Sequence, residues 1–382
     1  MKKLFTSESV RKGHPDKICD LISDSILDAY LKLDKESRVA VEAMAHKDGI
    51  LVSGEITSKA NVDIKEIVKN TLLEIGYNDD KLLYNANNLK IDIIKNIQSP
   101  DISQGVNKEE YGAGDQGIMF GFACDETDEY MPLALSLANK ISKKLDELFL
   151  NKTLPYLRPD GKCQVTLEYE DDKVKRIDTI VISIQTDDID LEIIKKDIKE
   201  LVIDKVINEE LLDENTRFLI NPTGKFVIGG PVGDTGLTGR KIIVDTYGGA
   251  SRHGGGAFSG KDYTKVDRSA SYYARYVCKN LVASKIAKKI ELQVSYAIGY
   301  NKPVSILINT FNTNIISEDK ILELIHKYFD FSPSNIIKEL DLKNVHYKNT
   351  TCYSHFGKSN LPWERLDKVK ILKHDINKEK NA

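Results

Sequence analysis

Apolar and polar positions along the chain recur in one order of elements. Residues 3–7 alternate as a short strand. Beyond Gly13-His14-Pro15-Asp16-Lys17, the residues Ile18, Ile22, Ile26, Ala29 and Leu33 fall at helical spacing and predict a helix ending near Leu33. Pro15 suits the first turn, where a missing N–H costs nothing. Strands are predicted over 38–46 and 50–57, joined at Asp48-Gly49, a strong hairpin signal. A helix over 62–76 and a strand over 89–97 complete a β-α-β-β-α-β round.

The order then repeats. The second round has a strand at 117–123, a helix at 131–150, and strands at 164–170 and 177–185. A helix at 190–207 and a strand at 217–221 close it. The third begins with a strand at 241–246 and a helix at 267–287, then strands at 291–298 and 304–310 and a helix at 317–328. A last strand is expected within 344–353. The period, about 120 residues, is too long for a solenoid. The pattern predicts an α+β fold of three similar β-α-β-β-α-β domains, each a sheet with helices on one face. The divisions fall at 1–100 for an N-terminal domain, 112–229 for a central one and 230–382 for a C-terminal one. Between the first two, 101–111 is polar and poor in apolar anchors, as a mobile lid or linker would be. The charged tail after Asp367 is expected to fray or lie on the surface.

Composition narrows the function. The 382 residues carry 55 basic and 58 acidic side chains, a net charge of −3, which argues against a nucleic-acid or anionic-membrane partner. Five cysteines are scattered without a C-x-x-C pair, as expected of reduced thiols in the cytoplasm. Seven histidines show no zinc spacing. Neither a signal peptide nor a membrane span is expected.

Positive charge gathers instead at two glycine runs. One reads Gly229-Gly230-Pro231-Val232-Gly233-Asp234-Thr235-Gly236-Leu237-Thr238-Gly239-Arg240-Lys241. The other reads Gly254-Gly255-Gly256-Ala257-Phe258-Ser259-Gly260-Lys261-Asp262, then Lys265 and Asp267. Glycine lets backbone N–H groups approach an anion, and a carboxylate beside a phosphate can hold a divalent cation. Gly255–Lys261 has P-loop spacing, but Asp262 stands where Ser or Thr is needed. Gly112-Ala113-Gly114-Asp115-Gln116-Gly117 matches G-x-G-x-x-G but precedes a strand, so it is not a dinucleotide fingerprint. His14 and Asp16 sit at a helix N-terminus, which attracts anions. A two-residue Asp48-Gly49 turn would place Glu42 opposite Glu55, a repulsion that a bound cation would relieve. Arg158-Pro159-Asp160-Gly161-Lys162 reads as a turn before a strand, and Phe226 is a lone ring among turn residues. The inventory of cations, carboxylates and glycines suits a polyphosphate leaving group and shows no covalent nucleophile.

These motifs, with Phe5-Thr6-Ser7-Glu8-Ser9-Val10, His355-Phe356-Gly357 and Pro362-Trp363-Glu364, resemble the S-adenosylmethionine synthetase family along nearly the whole chain. The resemblance implies three repeats about a pseudo-threefold axis. It also implies attack of the methionine sulfur on C5′ of ATP, with the expelled triphosphate hydrolysed to phosphate and pyrophosphate. On that resemblance His14, Lys162, Arg240, Lys241 and Lys261 contact the ATP phosphates, and Lys265 joins them as a catalytic group. Asp160, Lys225, Phe226, Asp234 and Ala257 complete the ATP site. Glu55, Gln98, Asp115, Asp234 and Lys265 contact methionine. Asp16 and Asp267 hold Mg2+, two ions per site, and Glu42 holds K+. The family's active sites lie between two subunits, which implies a dimer with shared sites, and a homotetramer in many bacterial members. Lys12 departs from the family, which usually carries an acid there. Two rival readings are an ATP-dependent phosphotransferase, which would release ADP, and a non-catalytic nucleotide-binding protein.

Overall fold

A computed structural model describes residues 2–96 and 111–380. Each predicted hairpin and each long amphipathic helix is present. In chain order they are β1 Lys2–Val10, α1 Pro15–Leu33, β2 Arg38–His46, β3 Gly49–Thr57, α2 Ile64–Ile75 and β4 Lys90–Asn96. β5 Gly117–Cys124, α3 Leu133–Leu150, β6 Leu157–Glu170, β7 Lys173–Thr186, α4 Leu191–Ile198 and β8 Arg217–Ile220 follow. The chain ends with β9 Gly236–Leu237, α5 Val266–Ala283, β10 Lys289–Tyr296, β11 Ser305–Asn309, α6 Glu318–Tyr328, α7 Pro333–Glu339 and α8 Val369–Lys380.

The sheets are not made of consecutive strands. Their orders are β1-β6-β7-β8, β11-β10-β5 and β4-β3-β2-β9. The first strand of each round therefore joins the next round's sheet, and β9 returns to the first. This cyclic exchange ties the three units together and places the loops after β1, β5 and β9 on neighbouring sheets. One apolar core centres on α1 and α5, and a second fills the space between α3 and the β1-β6-β7-β8 sheet. α5 is buried almost all round. Its internal cations are neutralised: Arg268 by Asp24, and Arg275 and Lys279 by Glu364.

Several expectations fail for identifiable reasons. The hairpin turn is Lys47-Asp48, with His46 paired to Gly49. Gly49 is held inside the strand because a Cβ there would lie 2.2 Å from the Lys90 carbonyl of β4. The register therefore puts Glu42 opposite Ser53 and Glu55 opposite Ala40, so the two glutamates are diagonal neighbours on one face. Residues 241–246 hold a helical turn, Ile242–Asp245, which brings the Asp245 carboxylate to buried Lys17 at 2.5 Å. The two-residue β9 takes the expected strand's place. Residues 158–162 lie within β6, where the register to β7 slips between Leu157 and Gly161. No strand forms in 344–353. The backbone N–H groups of Tyr347 and Lys348 donate to the Asp28 carboxylate, at 2.7 and 2.9 Å, and the chain makes a 3-10 turn. Of the tail beyond Asp367, residues 369–380 form α8, which lies on the surface and buries Leu372 and Ile376.

Candidate active site

The first cluster is built around the N-terminus of α1. His14 caps the helix, its Nδ1 accepting the Asp16 N–H at 3.2 Å. Nε2 then carries the ring proton and is the donor left for a ligand. Burial, with Lys241 nearby, pulls the imidazole down to about 3, so His14 is neutral near pH 7. Between about 3 and the ordinary value of 6.5 the native protein binds fewer protons here than the unfolded chain does. Stability contributed by this residue is therefore lost as pH falls through that window. Denaturant titrations from pH 7 to 4 should show His14→Asn losing less stability on acidification than the native chain. Parallel curves would contradict the buried neutral imidazole.

Asp16 is buried and accepts from Lys241 Nζ at 2.5 Å and the Leu237 N–H at 3.0 Å, with Arg240 Nε 3.6 Å away. Burial pushes its carboxyl up, but Lys241 outweighs that and holds it below the ordinary range. Lys162 on β6 lies across from β1 and meets Glu8 at 2.9 Å. Asp160 is buried and accepts the Gly230 N–H at 2.8 Å, and burial pushes its carboxyl up to about 6. Asp234 and Arg240 are exposed, and Phe226 is half-buried beside Gly229. Lys225 is exposed and pairs with Asp188 at 2.6 Å.

The second cluster joins the Gly254–Asp262 loop to the start of α5. Lys261 Nζ lies 2.6 Å from Asp267 Oδ2, and Lys265 Nζ lies 2.5 Å from Asp262 Oδ2. Gly256 is required here, because a Cβ would fall 2.3 Å from Asp267 Oδ1. Gly260 has φ +78°, and its Cβ would lie 1.9 Å from the Val41 carbonyl. The Gly112–Gly117 motif reaches the same corner: a Cβ on Gly117 would be 3.7 Å from Asp267 Oδ1. Exposed Asp115 accepts the Gln116 N–H. Glu42, Glu55, Ala257, Thr238 and Lys261 line a hollow of about 230 Å3.

Segment 238–241 connects the clusters. Thr238 reaches the hollow, Gly239 packs on Ala257, and Lys241 pairs with Asp16. Gln98 and 101–110 of the expected lid lie outside the described residues. Its last residue, Tyr111, is anchored by its N–H to Ser334 Oγ at 2.9 Å. Among the described residues no three His, Cys, Asp or Glu side chains gather to hold a metal. The separate carboxylates Asp16 and Asp267 nonetheless fit Mg2+, which takes one or two carboxylates and completes its shell with substrate phosphates and water. The five cysteines are free and buried, and burial pushes the Cys163 thiol up to about 12.

Three family models cover the chain in order: S-adenosylmethionine synthetase N-terminal domain over 2–100, central domain over 110–226 and C-terminal domain over 228–365. The chain belongs to the S-adenosylmethionine synthetase family. A protein named S-adenosylmethionine synthase from Clostridium tetani is 57% identical over 98% of this chain and 100% of its own length. Proteins of the same name from Clostridium botulinum and Staphylococcus epidermidis are 55% and 54% identical, each over 98% of this chain. The three family-model domains follow one another along the chain of this α+β fold, as the three rounds of elements do.

Sequence reasoning missed the residues that hold the site in place. Glu8 orients Lys162 and Asp262 orients Lys265. Asp24 accepts from both Arg268 Nη atoms at 2.7 and 2.8 Å, from Gly260 N at 2.9 Å and from Thr351 Oγ1 at 2.7 Å. No sequence signal marked them: Lys17, Asp20 and Asp24 recur on the face of α1 opposite Ile18, Ile22 and Ile26, where a solvated polar face is expected, and only the structure shows that face buried.

Proposed function

We propose that the two clusters form one site in which the protein makes S-adenosylmethionine from ATP and L-methionine. The observation that carries this reading is the presence of all three family domains in one chain with both clusters intact. A methionine sulfur lone pair forms the bond to C5′ of ATP. The C5′–O5′ bond breaks, and its electron pair leaves on the triphosphate. The thioether has no proton to lose, so no general base is needed. The protein must align sulfur and carbon and neutralise the departing oxygens.

The ion pairs prepare that neutralisation. Lys162, Lys241 and Lys261 each rest against a carboxylate. On substrate entry Lys241 and Lys261 would turn to phosphate oxygens, and Asp16 and Asp267 are the carboxylates that would hold Mg2+ there. Bound Mg2+ supplies charge neutralisation to the phosphates. Exposed Arg240 closes on the chain end, and His14 donates from Nε2. Glu55, Gln98, Asp115 and Lys265 hold the amino acid, and Asp234 lies between it and the nucleoside. Lys225, Phe226, Asp160 and Ala257 surround the nucleoside. The same cations retain the expelled triphosphate for hydrolysis to phosphate and pyrophosphate.

Glu42 takes potassium. Replacing potassium with tetramethylammonium should slow the native enzyme and leave Glu42→Gln comparatively insensitive. Equal native rates in both salts would remove the cation from Glu42. The active form is a dimer whose sites take one cluster from each chain, assembled further into a homotetramer in the cytoplasm.

Product identity tests the function. Protein with ATP, methionine, Mg2+ and K+ should release S-adenosylmethionine, phosphate and pyrophosphate in equal amounts, all dependent on methionine. ADP without a sulfonium product would overturn the reading.

A further inference from the structure

A second charged cavity, of about 420 Å3, lies between α3 and the segment 353–360. That size is ordinary for a small-molecule site. One wall is a stripe of α3 at helical spacing: Ser136, Asn139, Lys140 and Lys143. Lys358 comes from the other wall. Among the described residues its ammonium donates to the backbone carbonyls of Asn349 and Thr350, at 3.2 and 2.8 Å. Among the described residues Lys143 has no ion-pair partner, and Lys140 has only Glu129 at 3.9 Å. Two exposed ammonium groups, Lys140 and Lys143, thus line the cavity with one loosely held carboxylate, while Lys358 contributes to its wall and Met131 and Phe356 supply apolar surface.

The cavity is separate from the ATP site. Side chains of β1 alternate faces: Glu8 meets Lys162 on one, while Ser9 Oγ donates to Asn139 Oδ1 at 2.7 Å on the other. α3 and the cavity therefore lie behind the strand. A short path still joins them. Tyr353 on the cavity wall donates to Asp146 at 2.6 Å. Asp146 accepts Arg11 Nε at 2.8 Å and the Lys12 N–H at 3.0 Å, two residues from His14. Arg11 also donates to the Asp160 carbonyl at 3.3 Å. Tyr353 and Ser354 both take positive φ, +59° and +67°, so the wall is held in a backbone conformation that non-glycine residues rarely adopt.

We propose that this cavity binds a small organic phosphate and communicates its occupancy to the 11–14 segment through Tyr353 and Asp146. Lysine ammoniums suit a phosphate dianion, and the apolar wall suits an organic body.

The test uses phenyl phosphate as probe and benzoate as the singly charged control. The native assembly is first saturated with a non-hydrolysable ATP analogue and Mg2+ in the absence of methionine, so that C5′ is not attacked, and binding is followed by calorimetry. Phenyl phosphate should bind once per chain, and benzoate much more weakly. The double variant Lys140→Ala/Lys143→Ala should keep the basal rate and bind the probe at least about tenfold more weakly. In turnover assays the probe should shift the KM for ATP in the native enzyme and not in the double variant. Tyr353→Phe should bind the probe normally and lose the shift. No binding, equal binding of benzoate, or unchanged affinity in the double variant would overturn the site. A KM shift surviving in Tyr353→Phe would overturn the coupling. The comparison rests on binding by the two lysines, so its failure is distinguishable from failure of the proposed activity.

Discussion

Lys261→Ala is expected to lower the rate of S-adenosylmethionine formation by roughly 10²–10³-fold, the usual cost of removing one preorganised group from a developing negative charge. The geometry favours a large effect. Lys261 is placed by a backbone that only glycine accommodates at Gly260, and its ammonium rests 2.6 Å from Asp267. Leaving-group charge grows only as C5′–O5′ breaks, so the loss should appear in kcat, with a smaller change in the KM for methionine. Steady-state and single-turnover rates check this. An unchanged kcat would remove Lys261 from the leaving group. Lys261 is partly exposed, so the unfolding midpoint should move little.

Asp24→Ala should have the opposite signature, a loss of stability of about 3–5 kcal/mol, as when one partner of a buried pair is removed. Asp24 and Arg268 are fully buried, and the carboxylate also satisfies Gly260 N and Thr351 Oγ1. Without it Arg268 is an uncompensated charge within α5. Burial pulls its guanidinium down, but Asp24 outweighs that and holds it above its ordinary value. Arg268 Nη1 also donates to the Lys261 carbonyl at 2.9 Å, so the phosphate-facing loop should loosen as well. Denaturant titration at fixed protein concentration measures the loss. A change below about 1 kcal/mol would mean that the pair contributes no more than an ordinary surface contact.

The fold was legible wherever side-chain period decides structure. Ile18, Ile22 and Ile26 marked α1 because that stripe must be buried. Alternation marked β2, β3, β6 and β7 for the same reason. What failed depended on partners far along the chain. Gly49 looked like a turn residue until β4 was seen pressing on it, and a slip of two residues then moved Glu42 away from Glu55. Residues 241–246 were apolar enough for a strand, but Asp245 had to reach Lys17. The exchange of β1, β5 and β9 between sheets leaves no local trace, since a strand's pattern does not name its neighbour. Site residues that touch phosphate were legible as cations beside glycines. The buried acids that orient them, Asp24 and Asp262, looked like ordinary helix and loop charges.

The central claim is that two clusters from different chains make one site. Subunit mixing tests it most directly. Lys241→Met disables the first cluster and Lys261→Met the second, so each variant alone should be nearly inactive. Unfolded and refolded together, half of the dimers should be mixed. In a shared-site dimer each mixed pair holds one doubly defective site and one intact site. The mixture should then recover roughly a quarter of native activity. Recovery of none, with mixed dimers present by mass, would mean that each site is built within one chain and would contradict the account.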